Sequence, residues 1–414
     1  MRKKIGMAAA MVTTVALLAA CSSGGTTETS SPEPSETAST PAASGSLTVW
    51  VDENRQPAVA AAAETFTAET GAAVELVVKN FEDIRADFIA QVPTGEGPDI
   101  TIGAHDWVGA LVAAGVVNTV DLGGNAAQFS EAALDAVSWD GQLYGMPYAA
   151  EAIALIQNVD LVGEEAPATF DEMLEKGKAS GAERPFCVNV ENGNGYNMFP
   201  FQASFGAPIF ATDASGNPTT ELAMAGDEGL AFASWLGANG EKGTGALSTT
   251  ISYDINLDLF NSGKCAYTLE GPWALGTLTD VNYVVNPIPS AGGQPATPFV
   301  GVQSFYVSAQ SANALLANEF LTNYIATPEA MSALYAADPR LPVFEGVDIS
   351  SAANPAAIEA FQAVAATGTP MPKIDAMGSV WEGWNAGEAK IIQGEDPATQ
   401  WAAMIEQITA AIGG

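Results

Sequence analysis

The chain has 414 residues, 48% of them apolar, with 8 Trp and 17 Phe, which is enough for two cored domains and incompatible with disorder as a whole. Charged residues make up only 15%, and within them 48 acidic side chains face 14 basic ones, a formal net charge of −34. A surface this acidic repels phosphate, which excludes a nucleic-acid partner and leaves neutral or cationic ligands in play.

Arg2, Lys3 and Lys4 precede an apolar run from Gly6 to Ala20, broken only by Thr13 and Thr14. As a helix that run reaches about 22 Å, short of a roughly 30 Å hydrocarbon core, so it predicts an export signal rather than a permanent membrane span. It ends Leu18-Ala19-Ala20-Cys21, which resembles the lipobox of bacterial lipoproteins. The resemblance implies cleavage after residue 20 and a diacylglyceryl group on Cys21, and two acyl chains anchor stably where one does not. Cleavage leaves 11 basic against 48 acidic groups, a formal −37. Residues 22–45 contain only Ser, Thr, Gly, Pro, Glu and Ala, with no apolar side chain large enough to offset ordering entropy, and read as a flexible tether.

The remainder reads as α/β. Leu47–Val51 is a buried strand, and Gln56–Thr70 is a helix with Pro57 at its start and Gly71 past its end. Val74–Val78, Asp83–Gln91 and Asp99–Gly103 follow as strand, helix and strand. This rhythm implies a mostly parallel sheet whose ligands sit beyond the carboxyl ends of the strands. Asp52–Arg55 and Ala104–Trp107 then share a functional rim, although they are far apart in sequence. Further on, Glu228–Ala238, Leu315–Ile325, Pro328–Ala336, Ala356–Ala366 and Ala398–Ile412 read as helices. Cys265–Leu269 and Val281–Val285 read as strands, and Phe299–Ser308 as a strand pair or one long strand.

Catalytic motifs are scarce. His105 is the one His, and no zincin, nucleophile-elbow, P-loop or dinucleotide-binding pattern occurs. Asp254–Asp258 opens like a calcium loop, but Leu259 and Cys265 occupy the positions that need Gly and Glu. Cys187 and Cys265 form either a disulfide, which export permits, or two buried thiols on neighbouring strands. Trp50, Trp235 and Trp401 sit inside predicted elements and read as core, while Trp139 precedes the hairpin signal Asp140-Gly141. Trp107, Trp273 and Trp381 stand beside turn chemistry or polar groups. Indole faces joined to carboxylates suit a pyranose, whose C–H face stacks while its hydroxyls bond to charged acceptors.

Six motifs carry a wider resemblance. They are Leu47-Thr48-Val49-Trp50; Gly95-Glu96-Gly97-Pro98-Asp99-Ile100 with Ala104-His105-Asp106; Met146-Pro147-Tyr148-Ala149-Ala150-Glu151-Ala152; Phe260-Asn261-Ser262-Gly263-Lys264; Gly271-Pro272-Trp273; and Pro298-Phe299-Val300-Gly301-Val302. In order and spacing the chain resembles the maltose/maltodextrin-binding family, the substrate-binding proteins of bacterial ABC importers. The resemblance implies a two-lobe periplasmic-binding-protein-like fold (type II), with a hinge and a ligand cleft between lobes. Residues 46–150 and 304–350 would form one lobe, and 151–303 and 351–414 the other.

On that resemblance, Asp52, Asn54 and Arg55 contact the sugar from the first loop, Asp106 from the Ala-His-Asp segment and Glu151 from the hinge. Tyr196, Trp273 and Trp381 supply stacking, and His105 is structural. Gly103 stands where a Trp is common, and Trp107 replaces an Arg, losing a bidentate donor and gaining a stacking face. Asn194 lies near a usual Glu, and Glu382 and Asn385 replace Tyr and Arg.

The implied molecule is a monomeric receptor on the outer face of the cell membrane, held there by its lipid alone. It needs no cofactor or metal, and it delivers maltodextrin to a membrane permease. The alternatives are a receptor for another oligosaccharide or a polyol, and an anchored glycoside hydrolase using Asp106 and Glu151 as its carboxylate pair.

Overall fold

The computed structural model describes residues 45–214, 217–350 and 354–413; the expected export signal, Cys21 and all of the expected tether but Gly45 lie outside them. Two sheets organise the chain. The larger contains β1 (Ser46–Val51), β2 (Ala73–Val78) and β3 (Ile100–Ala104), joined by the helices Gln56–Thr70 and Phe81–Gln91. The first helix begins and ends where the sequence predicts, because Gly71 adopts a left-handed φ of 77° and returns its N–H to the Thr67 carbonyl. The second starts two residues earlier than expected, where the Asn80 side chain accepts the Glu82 N–H. Asp140 and Gly141, at φ 48° and 74°, turn the hairpin β4 (Ser138–Trp139) and β5 (Gln142–Leu143).

β6 (Gly145–Glu151) returns to the larger sheet, and Ala152-Ile153 then passes the chain straight into β7 (Ala154–Asn158) of the smaller one. A short hairpin, β8 (Phe210–Thr212) and β9 (Pro218–Leu222), precedes the remaining partners of β7, which are β10 (Tyr267–Glu270) and β11 (Tyr283–Asn286), both antiparallel to it. β12 (Phe299–Val307) is one continuous strand leading back to the larger sheet, where it lies between β6 and β3. β13 (Leu341–Pro342) pairs with β6, and β14 (Thr369–Pro370) with the start of β12.

The larger sheet is therefore mixed. The expected parallel arrangement holds for β1, β2 and β3, whereas β12, β6 and β13 pair antiparallel. The physical reason lies in the connections. β6 and β12 are linked to each other through the smaller sheet rather than by a crossover helix, so β12 can enter from the opposite end.

Each sheet has its own apolar core. One gathers Leu47, Val49, Phe66, Phe88, Phe305 and Phe320. Another gathers Phe170, Phe201, Phe232, Trp384 and Trp401 beneath the helices Asp227–Asn239, Trp381–Ile392 and Pro397–Gly413. A third cluster sets Tyr335 and Leu341 against Phe260, Leu275 and Phe361. Trp50 and Trp401 are buried as expected, and Trp235 is half-buried among Phe170, Phe201 and Phe232. Cys187 and Cys265 are joined by a disulfide, the first of the two arrangements the sequence allows. The helix read over Leu315–Ile325 is α-helical over Ala314–Phe320 and widens to a π-turn over Leu321–Ile325.

Candidate functional site

The carboxyl ends of β1 and β3 lie on one rim, and the loop after β1 carries a buried charge. Arg55 is 2% exposed, paired with Asp52 through one amino group and with Asp338 Oδ2 at 2.9 Å through the other. Its guanidinium lies 5.3 Å from the Phe81 ring centroid and 5.9 Å from that of Tyr148. Asp338 also accepts the Arg340 Nε–H at 2.6 Å, and Arg340 pairs with Glu151 at the end of β6. Glu151 accepts a further hydrogen bond from Gln303 Nε2 at 3.2 Å. Opposite it, a side chain at Gly301 would meet Glu151 Cγ at 2.9 Å, so β12 needs a glycine there. The result is an unbroken buried series of alternating charges, Asp52–Arg55–Asp338–Arg340–Glu151.

After β3, His105 ties three segments together. Its Nδ1 accepts the Val302 N–H at 3.0 Å, so Nε2–H donates to the Met371 carbonyl at 3.1 Å. Burial lowers its pKa to about 4, which keeps the ring neutral and makes it a strut. Asp106 next to it is buried, with Oδ1 lacking a hydrogen-bond partner among the described residues. Burial pushes its pKa up to about 6, against the pull of Arg85 and a hydrogen bond from Trp381. Trp107 is buried too, 5.2 Å from the Phe81 ring, and a Cβ at Gly103 would collide with its indole. The two departures, Gly103 and Trp107, therefore compensate each other: the small residue makes room for the large one.

Aromatic rings face this rim from the other side. The segment Gly193-Asn194-Gly195 lies against the helix Trp381–Ile392 so closely that a side chain at either glycine would strike Asn385 or Trp384. Asn385 Oδ1 accepts the Gly195 N–H at 2.9 Å, and Asn194 caps the helix Gly195–Ser204. Asn194 and Asn385 thus hold backbone in place and project Tyr196 from the first turn. The Tyr196 ring lies 6.4 Å from Trp273 and 6.2 Å from Phe299, and Phe299 lies 6.4 Å from Trp381. Burial, then the charges of Asp106 and Glu270, hold the Tyr196 phenol well above its usual range. On β10, Thr268 and Glu270 share a face, and Asn256 bonds both at 3.0 and 2.7 Å. Burial pushes Glu270 up to about 7, against hydrogen bonds from Asn256 and Trp273.

Two groups emerge from the expected residues. Asp52, Arg55 and Glu151 belong to the charge series, which Trp107 reaches through Phe81, whereas Asp106, Tyr196, Trp273 and Trp381 belong to the aromatic wall. Asn54 is exposed and makes no hydrogen bond to either group among the described residues. Sequence reasoning missed Asp338, Arg340, Glu270 and Phe299. Arg340 carried a signal, being one of only five Arg and flanked by Pro339 and Pro342. So did Glu270, an acid two residues beyond Thr268 in an otherwise apolar strand.

Glu388, on the helix behind Tyr196, is fully buried and accepts the Asn194 N–H at 3.2 Å and a hydrogen bond from Trp384. Burial pushes its pKa up to about 8 from 4.5. Between those values the folded protein holds a proton that the unfolded chain has released, so stability falls as pH rises through that window, by about 1.4 kcal/mol per unit for this group. Glu388→Gln keeps an acceptor for Asn194 and is expected to flatten the decline of melting temperature between pH 5 and 8. A decline as steep as that of wild type would refute this assignment.

A model of the family described as bacterial extracellular solute-binding protein matches residues 61–363. A maltotriose-binding protein of Pyrococcus abyssi is 28% identical over 361 residues, covering 82% of this chain and 76% of its own. A galactooligosaccharide-binding protein of Bacillus subtilis is 28% identical over 379 residues, covering 84% and 85%. The structure of a Thermus thermophilus maltotriose-binding protein bound with maltotriose superposes with a TM-score of 0.79 at 31% identity, covering 89% of this chain and all of that one. The mixed α/β architecture is the two-lobe periplasmic-binding-protein fold. The chain belongs to the bacterial extracellular solute-binding proteins, which capture solutes rather than transform them.

Proposed function

We propose that this chain is a lipid-anchored receptor that captures a maltooligosaccharide between its lobes and hands it to the permease of an ABC importer. The observation that carries the reading is the aromatic wall of Trp273, Tyr196 and Trp381, backed by the buried Phe299, beside the buried carboxylates Asp106 and Glu151. An aromatic face takes the apolar C–H face of a pyranose, and carboxylates take its hydroxyl protons. In this reading residues 46–150 with 304–350 form one lobe, and 151–303 with 351–414 the other, and Glu151 reaches the sugar from the first crossing. Asp52 and Arg55 act through the charge series, Asn54 contacts sugar at the mouth, and Trp107 backs Arg55 through Phe81. Sugar touching both lobes favours the closed form by population shift. Micromolar capture requires about −8 kcal/mol, within reach of several stacked rings after ordering costs.

Cys21 would hold a monomer at the outer face of the membrane, with residues 22–45 as its leash. A galactooligosaccharide is the second reading, favoured because the relative that binds one matches this chain as well as the maltotriose-binding relative does. A thermal-shift and calorimetry panel of maltose, maltotriose, trehalose, cellobiose, xylobiose and a galactooligosaccharide tests the proposal. Maltotriose is expected to raise the melting temperature most. A response confined to the galactooligosaccharide would select the second reading, and no response to any saccharide would end both.

A further inference from the structure

The charge series and the aromatic wall meet at one point. Arg340 precedes β13 of the larger sheet, and Trp273 follows β10 of the smaller sheet. The Arg340 guanidinium carbon lies 5.0 Å from the Trp273 ring centroid, over its face. Arg340 cannot drift, since Asp338 holds its Nε–H at 2.6 Å and Glu151 is ion-paired with one terminal nitrogen. Leu341, its neighbour, pairs with Ala150, next to Glu151, which sets the two side chains on adjacent strands. The indole is constrained from within its own segment as well, because Gly271 packs so tightly on the ring that no Cβ would fit there.

We propose that Arg340 is a positioning residue for carbohydrate. Resting on the sugar-receptor reading above, it fixes the plane of the Trp273 indole and the carboxylate of Glu151 in one mutual geometry, and so sets affinity and the choice among sugars. A planar fork suits this task. Its in-plane nitrogens engage two carboxylates, while the flat face lies on an aromatic ring, a combination a lysine ammonium does not offer. The contact also joins the two sheets, so the stacking surface and the hinge carboxylate come into register together.

Arg340→Lys keeps the charge and loses the fork and the flat face. With maltotriose as probe, calorimetry is expected to give a Kd at least tenfold weaker than wild type, and a changed preference order across the sugar panel. The sugar-free melting temperature should stay within a few degrees. The double variant Arg340→Met, Asp338→Asn, which removes the charge together with one of its buried partners, serves if the lysine variant fails to fold. A second readout needs no sugar: Arg340→Lys is expected to shift the tryptophan emission maximum of the free protein, and that shift should vanish in a Trp273→Phe background. Wild-type affinity in Arg340→Lys, or an emission shift that persists without Trp273, would overturn the proposal. A wild-type protein that binds no saccharide while the emission result holds would instead remove the receptor reading and leave the Arg340–Trp273 coupling intact.

Discussion

Trp273→Ala is expected to weaken maltotriose binding at least tenfold in a calorimetric titration. The ring stands where three features converge: Tyr196 at 6.4 Å, the Arg340 guanidinium at 5.0 Å and a hydrogen bond to Glu270. An aromatic side chain offers on the order of 150–250 Å², and covering about a third of it at about 25 cal/mol/Å² gives ~1.5 kcal/mol. That corresponds to about a factor of ten in Kd. Alanine also removes the indole N–H that helps hold Glu270, so the neighbouring carboxyl should titrate higher. Trp273→Phe restores a smaller face and should recover part of the loss. Wild-type affinity in Trp273→Ala for every sugar the parent binds would eliminate the stacking role.

Arg55→Ala is expected to be the most destabilising single change on the rim. The guanidinium is 2% exposed, serves both Asp52 and Asp338 and fills the space between Phe81 and Tyr148. Removing one partner of a buried pair strands the other, at a cost of about 3–5 kcal/mol. Asp338, whose pKa burial raises and Arg55 lowers, would be left with Arg340 alone. Its ionised form is then less favoured, so the loss should be greater at pH 8 than at pH 5. The measurement is melting temperature at both pH values, with a fall of about 5 °C or more expected at the higher one. Melting within a degree of wild type would show that the series contributes nothing to the fold.

What could be read from the sequence was local. Pro57 and Gly71 delimit a helix by backbone chemistry that needs no tertiary partner, and Asp140-Gly141 turns a hairpin for the same reason. Strand direction in the larger sheet was not legible, because the antiparallel placement of β12 depends on the chain's passage through a second sheet and leaves no mark in the Phe299–Val307 composition. The site divides in the same way. Glu151, Asp106 and Trp273 sit within recognisable motifs, whereas Arg340 lies 189 positions from Glu151 and announces itself only by its rarity and its flanking prolines. The pairing of Gly103 with Trp107 was visible as two separate oddities, and only their contact explains either.

The disulfide between Cys187 and Cys265 has a practical corollary. It staples the stretch leading into the Tyr196 helix to the strand that runs on to Trp273, and the Cys187 N–H reinforces it by donating to the Tyr267 carbonyl at 2.9 Å. Both rings thus ride on one covalent frame, completed only where thiols can be oxidised. Protein recovered from a reducing cytosol would present them on a looser mount, so its affinity would depend on how it was prepared.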